Sequence, residues 1–154
     1  MTDVEFMGLA LEQARLAGAM GEAPVGAVAV WDGEVVAAAH NRREADCCAL
    51  AHAELLAIRA ACERLGGWRL HRCTLYVTLE PCPMCAGAII NARVARLVFG
   101  AGDSKAGCFG SVADFAALPF NHRPEVVSGV LGGECAELLR DFFRALREKS
   151  FGSN

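Results

Sequence analysis

The run Thr74-Leu-Tyr-Val-Thr-Leu-Glu-Pro-Cys-Pro-Met-Cys85 decides the architecture. Its first six residues are β-branched, aromatic or apolar, the composition of a strand. Its last three open a segment, Pro83 to about Arg93, that reads as a short helix with proline in the first turn. A buried strand followed at once by a helix is the unit from which layered α/β folds are built. Upstream, residues 52–65 are rich in Ala, Leu, Ile and Glu and stop at Gly66-Gly67, giving a second helix with a glycine end. Further back, Val25 to Trp31 and Glu34 to Ala39 flank Asp32-Gly33, a strong hairpin signal. Before them, the apolar residues of Val4 to Met20 recur at helical spacing, with Thr2 or Asp3 as cap.

Downstream, Arg96-Leu-Val-Phe-Gly100 reads as a short buried strand and Glu125-Val-Val-Ser128 as a last one. A short helix is expected near Ser111 to Leu118. A final helix is expected over about Gly133 to Lys149, with Leu138, Leu139, Phe142, Phe143 and Leu146 turned inward. Residues 40–51 read as a loop. Strands and helices alternate after the hairpin, which implies one mixed sheet with helices on both faces, an α/β fold in a single domain over 1–154.

The 154 residues are 54% apolar and 21% charged, which excludes a disordered chain. Mean hydropathy is +0.30, yet the longest uncharged stretch, Pro81 to Ala92, carries Cys, Pro, Gly and Asn, too short and polar for a membrane span. The acidic start Met1-Thr-Asp-Val-Glu5 lacks an export pattern, so a cytoplasmic protein is expected. A net charge of −3 excludes a broad basic surface but leaves room for a local one. Eight cysteines without export make metal ligation, catalysis or burial better readings than disulfides.

Cys82 and Cys85 lie three apart at a helix start, so both sulfurs face one way where backbone N–H groups favour thiolates. His52, at the start of the other helix, offers an imidazole. A His/Cys/Cys set leaves a fourth zinc position open, and an open position holds a water of pKa near 7. A structural zinc site normally brings four protein ligands, so the spacing favours catalysis over structure. Glu54 follows His52 by two residues, roughly 200° around an ideal helix. The two side chains therefore share a point only off the helix end, which puts the metal beyond the N-terminus and Glu54 over its water as a proton shuttle. Cys47 or Cys48 as a fourth, silencing ligand is the rival arrangement; ordinary loop thiols are the simpler reading. Cys62, Cys73, Cys108 and Cys135 lack ligand spacing and read as buried small hydrophobes. His40, His71 and His122 read as hydrogen-bonded structural histidines. Arg140, Arg144 and Arg147 share one helix face, either solvated or facing a polyanion.

The pattern His52-Ala-Glu54, then Pro81-Cys-x-x-Cys85, matches zinc-dependent nucleobase deaminases. The chain resembles the bacterial tRNA adenosine deaminase branch of that superfamily. The resemblance includes Glu22-Ala-Pro-Val-Gly-Ala27, His40-Asn-Arg42, Met84-Cys-Ala-Gly-Ala88, Val98-Phe-Gly-Ala101, Asp103-Ser-Lys105, Asn121-His-Arg123 and Phe142-Phe-Arg144. It implies a three-layer α/β/α fold around a central mixed five-stranded sheet. It implies one Zn2+ per subunit on His52, Cys82 and Cys85, with Glu54 as general acid/base. Asn41 would bond the base, the backbone around Ala53 and Pro24 would line the pocket, and Asp103 and Lys105 would meet the RNA strand. His122 would lie near RNA. The implied reaction is hydrolysis of the wobble adenosine of a tRNA anticodon stem-loop to inosine, by a homodimer. The family usually has Asp-Pro-Thr before the Ala that precedes the ligating His; here the loop reads Asp46-Cys-Cys-Ala-Leu-Ala51. The motif alone also admits a deaminase of free guanine, cytosine or dCMP, and an inactive zinc scaffold that binds RNA or a partner, against which an intact Glu54 counts.

Overall fold

The computed structural model describes residues 1–152. Helix α1 (Asp3–Ala19) is followed by strands β1 (Gly26–Trp31) and β2 (Glu34–His40), helix α2 (Ala53–Leu65), strand β3 (Cys73–Leu79) and helix α3 (Pro83–Asn91). Strand β4 (Arg96–Ala101), a 3-10 turn (Phe115–Ala117), strand β5 (Glu125–Ser128) and helix α4 (Gly132–Gly152) complete the order. The five strands form one mixed sheet in the order β2-β1-β3-β4-β5. β1 runs antiparallel to β2 and β3, while β3, β4 and β5 are parallel. The expected hairpin is present, with Asp32 and Gly33 both at positive φ, 51° and 80°, as a type I′ turn requires.

Successive strand residues alternate between two cores, as the two-residue period of a strand dictates. Ala27, Ala29, Leu75, Val77, Leu97 and Phe99 pack under α2 and α3. Val28, Val30, Tyr76 and Val98 pack under α1 and α4. This is the expected three-layer α/β/α arrangement. Ala53, Ala57 and Ala61 give α2 a face of small, fully buried residues, so the helix lies close against β1 and β2. Thr2 and Glu5 form a reciprocal cap at the start of α1. Asp3 is gripped by both terminal nitrogens of Arg96, at 2.8 and 2.6 Å, and by the Tyr76 hydroxyl at 2.6 Å, tying α1 to the sheet. No helix of the described residues is long and apolar enough to cross a membrane.

Three expectations need correction. Phe143 and Leu146 are exposed rather than turned inward. Helix α4 meets the sheet through Cys135, Ala136 and Leu138, and its later turns have no layer over them. The helix expected over Ser111 to Leu118 shrinks to one turn. Residues 107–114 instead fold on themselves, with Gly110 and Ala113 hydrogen-bonded, Val112 donating to Gly107, and Phe109 bridged to Asp114. Asp114 then caps what remains. Cys62 is half-buried on the last turns of α2, its thiol against the Trp68 carbonyl, while Cys73, Cys108 and Cys135 are buried as expected.

The hydrogen bond to Arg96 holds the Asp3 carboxyl at about 2. A carboxyl whose folded pKa is depressed stabilises the fold above its unfolded pKa, and loses that contribution as pH falls through the folded one. Asp3→Asn is therefore expected to lower stability by roughly 1 kcal/mol at neutral pH. In denaturant titrations the gap to the parent should close between about pH 4 and 2.

Candidate active site

Two helices begin side by side where the amino end of β1 meets the carboxyl ends of β2 and β3, and their first residues build the site. His52 is the N-cap of α2 and Cys82 the N-cap of α3, both with extended backbone (φ −79°, ψ 149° and φ −73°, ψ 174°). Neither spends its side chain on capping, so both are free to turn toward the space between the helices. Pro83 occupies the first turn of α3, where its missing N–H costs nothing. Cys85, one turn in, is fully buried. Because His52 stands outside the helix, it and Glu54 both reach the space off the end of α2, where the sequence put the metal.

The Nδ1 of His52 lies 3.7 Å from the Cys82 Sγ and 3.5 Å from the Cys85 Sγ. Tetrahedral zinc with ordinary Zn–N and Zn–S bonds separates its nitrogen and sulfur ligands by roughly 3.6 Å. The donor set fits zinc in chemistry and in spacing. Among the described residues no fourth Cys, His, Asp or Glu joins the cluster, which is the open arrangement of a catalytic site. Cys47 and Cys48 stay outside it, Cys47 exposed at φ 48° with its thiol donating to the Glu44 carbonyl.

Hydrogen bonds from Cys85 and His52 hold the Cys82 thiol down at about 4 despite partial burial. Its bond to Cys82, then burial, push the Cys85 thiol upward. The bond to Cys82 also raises His52, with Glu54 and Cys82 adding electrostatic support. Glu54 is 4% exposed, and burial raises its carboxyl above the usual range, the environment of a group that holds and releases protons.

Above these residues opens a cavity of about 190 Å³, lined by Asn41 and Arg43 on one wall, His52, Ala53 and Glu54 on the floor, and Leu79, Asp103 and Ala106 opposite. Sites for drug-sized ligands run to about 300–1,000 Å³, so this one suits a single planar base. Asn41 is fixed by donating to the Ala23 carbonyl at 3.3 Å and accepting from the Arg43 N–H at 3.2 Å. Pro24 is buried behind the wall, which its neighbours Ala23 and Val25 form. Asp103 accepts from the Lys105 and Ala106 N–H groups. Lys105 turns away from the cavity into a second groove with Leu139, Arg140, Phe143, Arg144, Leu146 and Arg147.

Three residues were not found by sequence reasoning. Arg43 brings a half-exposed cation to the cavity. Glu22, 1% exposed, accepts from the N–H groups of Glu44 and Ala45 at 3.0 and 2.8 Å and fixes the loop behind Asn41. Glu80, equally buried, braces the opposite loop. Glu22 lies in the family-like run Glu22 to Ala27 and Glu80 in the run Thr74 to Cys85, but nothing local marks either carboxylate as buried. His40 and His122 meet backbone carbonyls of Asn41 and Val94, and His71 packs edge-on to Trp31.

A mixed α/β sandwich with a His/Cys/Cys cluster, one open ligand position and a buried glutamate under a base-sized cavity defines a hydrolytic deaminase of the zinc type. The model of the MafB19-like deaminases matches residues 1–147. Over 148 residues the chain is 53% identical to the tRNA-specific adenosine deaminase of Bacillus subtilis, covering 96% of this chain and 92% of that protein. It is 51% identical to that of Agrobacterium fabrum, over 92% and 94% of the two chains. A solved structure from a study of A-to-I editing by tRNA:A34 deaminases superposes with a TM-score of 0.85 at 50% identity, over 88% of this chain and 99% of that one. A guanine deaminase from Nitrosomonas europaea shares the fold more distantly, TM-score 0.76 at 28% identity over 90% and 83%. The chain belongs to the tRNA-specific adenosine deaminase family.

Purified protein is expected to carry about one zinc per chain by elemental analysis. Cys85→Ser should lose it and melt at lower temperature, because the buried ligand cannot be replaced. Well-folded parent protein without zinc would remove the metal from the account.

Proposed function

We propose that this protein hydrolyses the wobble adenosine of a tRNA anticodon to inosine, with one zinc held by His52, Cys82 and Cys85. The observation that carries the reading is the buried Glu54 beside that three-ligand cluster, at the floor of a cavity sized for one base. Zinc, when bound, supplies a water acidified to a pKa near 7. Glu54 takes a proton from the water as it adds to C6 of adenine and passes it to the ring nitrogen, then takes the proton of the new C6 hydroxyl and gives it to the departing amine. The C6 amino group leaves as ammonia and a carbonyl takes its place. Asn41, with one amide N–H and one carbonyl lone pair still unused, presents a polar edge to the base, and Ala53 packs below it. The target base must leave its stack to enter.

Choice of substrate belongs to the surface around the mouth. Asp103 sits on the cavity wall, and two residues on Lys105 enters the groove with Arg140, Arg144 and Arg147. These four cations cluster on a chain of net charge −3 and mark where phosphates of the flanking strand would lie. Phe143 offers an aromatic face among them for a splayed base. The guanine deaminase likeness keeps a free-base substrate as the second reading, since the chemistry below the base is the same. The exposed Leu50, Val112, Leu118 and Phe120 supply apolar area for a second copy, and a homodimer of one-domain subunits (1–154) is part of the proposal. A tRNA substrate makes the cytoplasm its place of action.

The test is ammonia release from an anticodon stem-loop with adenosine at the wobble position, beside free adenosine, guanine, cytosine and dCMP, with inosine identified by mass analysis. The stem-loop alone is expected to turn over. Rapid turnover of guanine with an untouched stem-loop would move the protein to the small-molecule branch. Light scattering should give about twice 16.3 kDa.

A further inference from the structure

The wall opposite Asn41 hangs on one side chain. Glu80, 2% exposed, directly follows β3, just before Cys82 and Cys85, and every hydrogen bond to its carboxylate comes from the loop that follows β4. Its Oε1 accepts from the Asp103 N–H at 3.0 Å and from the Ser111 hydroxyl in a short bond. Its Oε2 accepts from the N–H groups of Phe109 at 2.9 Å and Ser111 at 3.1 Å. Both oxygens are thus used twice, which only a carboxylate can satisfy; a carboxamide would face two of these donors with N–H groups of its own. The loop is shaped around the same group. A Cβ on Gly107 would stand 2.3 to 2.5 Å from the carboxylate carbon and oxygens, so residue 107 has to be glycine for Glu80 to reach Asp103, Phe109 and Ser111 together. The Cys108 N–H adds a bond to the Pro81 carbonyl.

We propose that Glu80 is a positioning residue for RNA: it fixes residues 102–111 so that Asp103 stays on the cavity wall and Lys105 points along the groove with the α4 arginines. The proposal rests on the tRNA reading for its substrate. It makes no use of the metal, since the loop supplies Asp103 and Ala106 to the cavity wall and no ligand. Loosening the loop should cost affinity for a structured RNA while leaving Glu54 and the ligand cluster able to work.

The test compares the parent protein with Glu80→Gln, Gly107→Ala, their double variant and the milder Ser111→Ala. Zinc content, kcat and KM on the wobble-adenosine stem-loop, and amide hydrogen exchange of residues 102–111 are measured. Glu80→Gln and Gly107→Ala should each raise KM roughly 10-fold, the scale of losing two buried hydrogen bonds, with kcat within about threefold and zinc retained. Exchange at Asp103, Phe109 and Ser111 should speed up in both. The double variant should be no worse than either single one, because both changes break the same clamp. Ser111→Ala should fall between parent and Glu80→Gln. Lost zinc, a loss confined to kcat, multiplying effects in the double variant, or unchanged exchange would each overturn the proposal. Failure of the parent protein on the stem-loop would overturn the tRNA reading instead, and the exchange data would still decide whether Glu80 holds the loop.

Discussion

Everything chemical in this molecule depends on two helix N-termini meeting above the ends of two neighbouring strands. β1 and β3 pair directly, α2 and α3 pack against each other on the same face, and their cap residues are His52 and Cys82. A helix start concentrates unpaired N–H groups and the positive end of the backbone dipole. Hydrogen bonds from the Cys85 side chain, from His52 and from the Cys85 N–H at the start of α3 favour thiolate at Cys82, which suits metal ligation, while at Glu54 burial wins and raises the carboxyl. The extended backbone at both caps matters as much as the helices do. A helical His52 would have pointed its imidazole away from the space that Glu54 occupies.

The pocket walls obey a different constraint. Both are loops, and each hangs on a buried carboxylate: Glu22 holds the N–H groups of residues 44 and 45, and Glu80 those of 103, 109 and 111. Loop backbone near an apolar core needs hydrogen-bond partners that no strand or helix provides. A buried glutamate gives several at once, and its own charge is satisfied in return. Burial opposes ionisation of Glu80, yet its bonds from Ser111, Asp103 and Phe109 outweigh that and keep its carboxyl below the usual range. On the proposed reading, walls braced in this way let a small cavity choose among bases that the chemistry treats alike.

Much of this could be read from the chain because local chemistry and tertiary role coincide. The Asp32-Gly33 turn, the β-branched strand before Pro81, the proline at the start of α3 and the His52, Glu54, Cys82, Cys85 spacing each have one economical structural solution. The failures fall where contacts are long-range. Glu80 and Glu22 looked like ordinary charged residues, since their partners lie 22 to 31 positions on and, apart from the Ser111 hydroxyl, are backbone groups. Phe143 and Leu146 carried a core-like pattern, but the helix outruns the sheet that would have covered them, and they line the cationic groove instead. Apolar periodicity tells which side chains share a face and leaves open what covers it.

The most direct measurement concerns Glu54. In Glu54→Gln the shape of the site is kept and its ability to carry a proton is lost. Zinc content and stem-loop affinity should match the parent protein, while single-turnover deamination of the wobble adenosine should fall by at least about 10²–10⁴-fold. A rate within a few-fold of the parent, with zinc in place, would show that Glu54 moves no proton and would contradict the account at its centre.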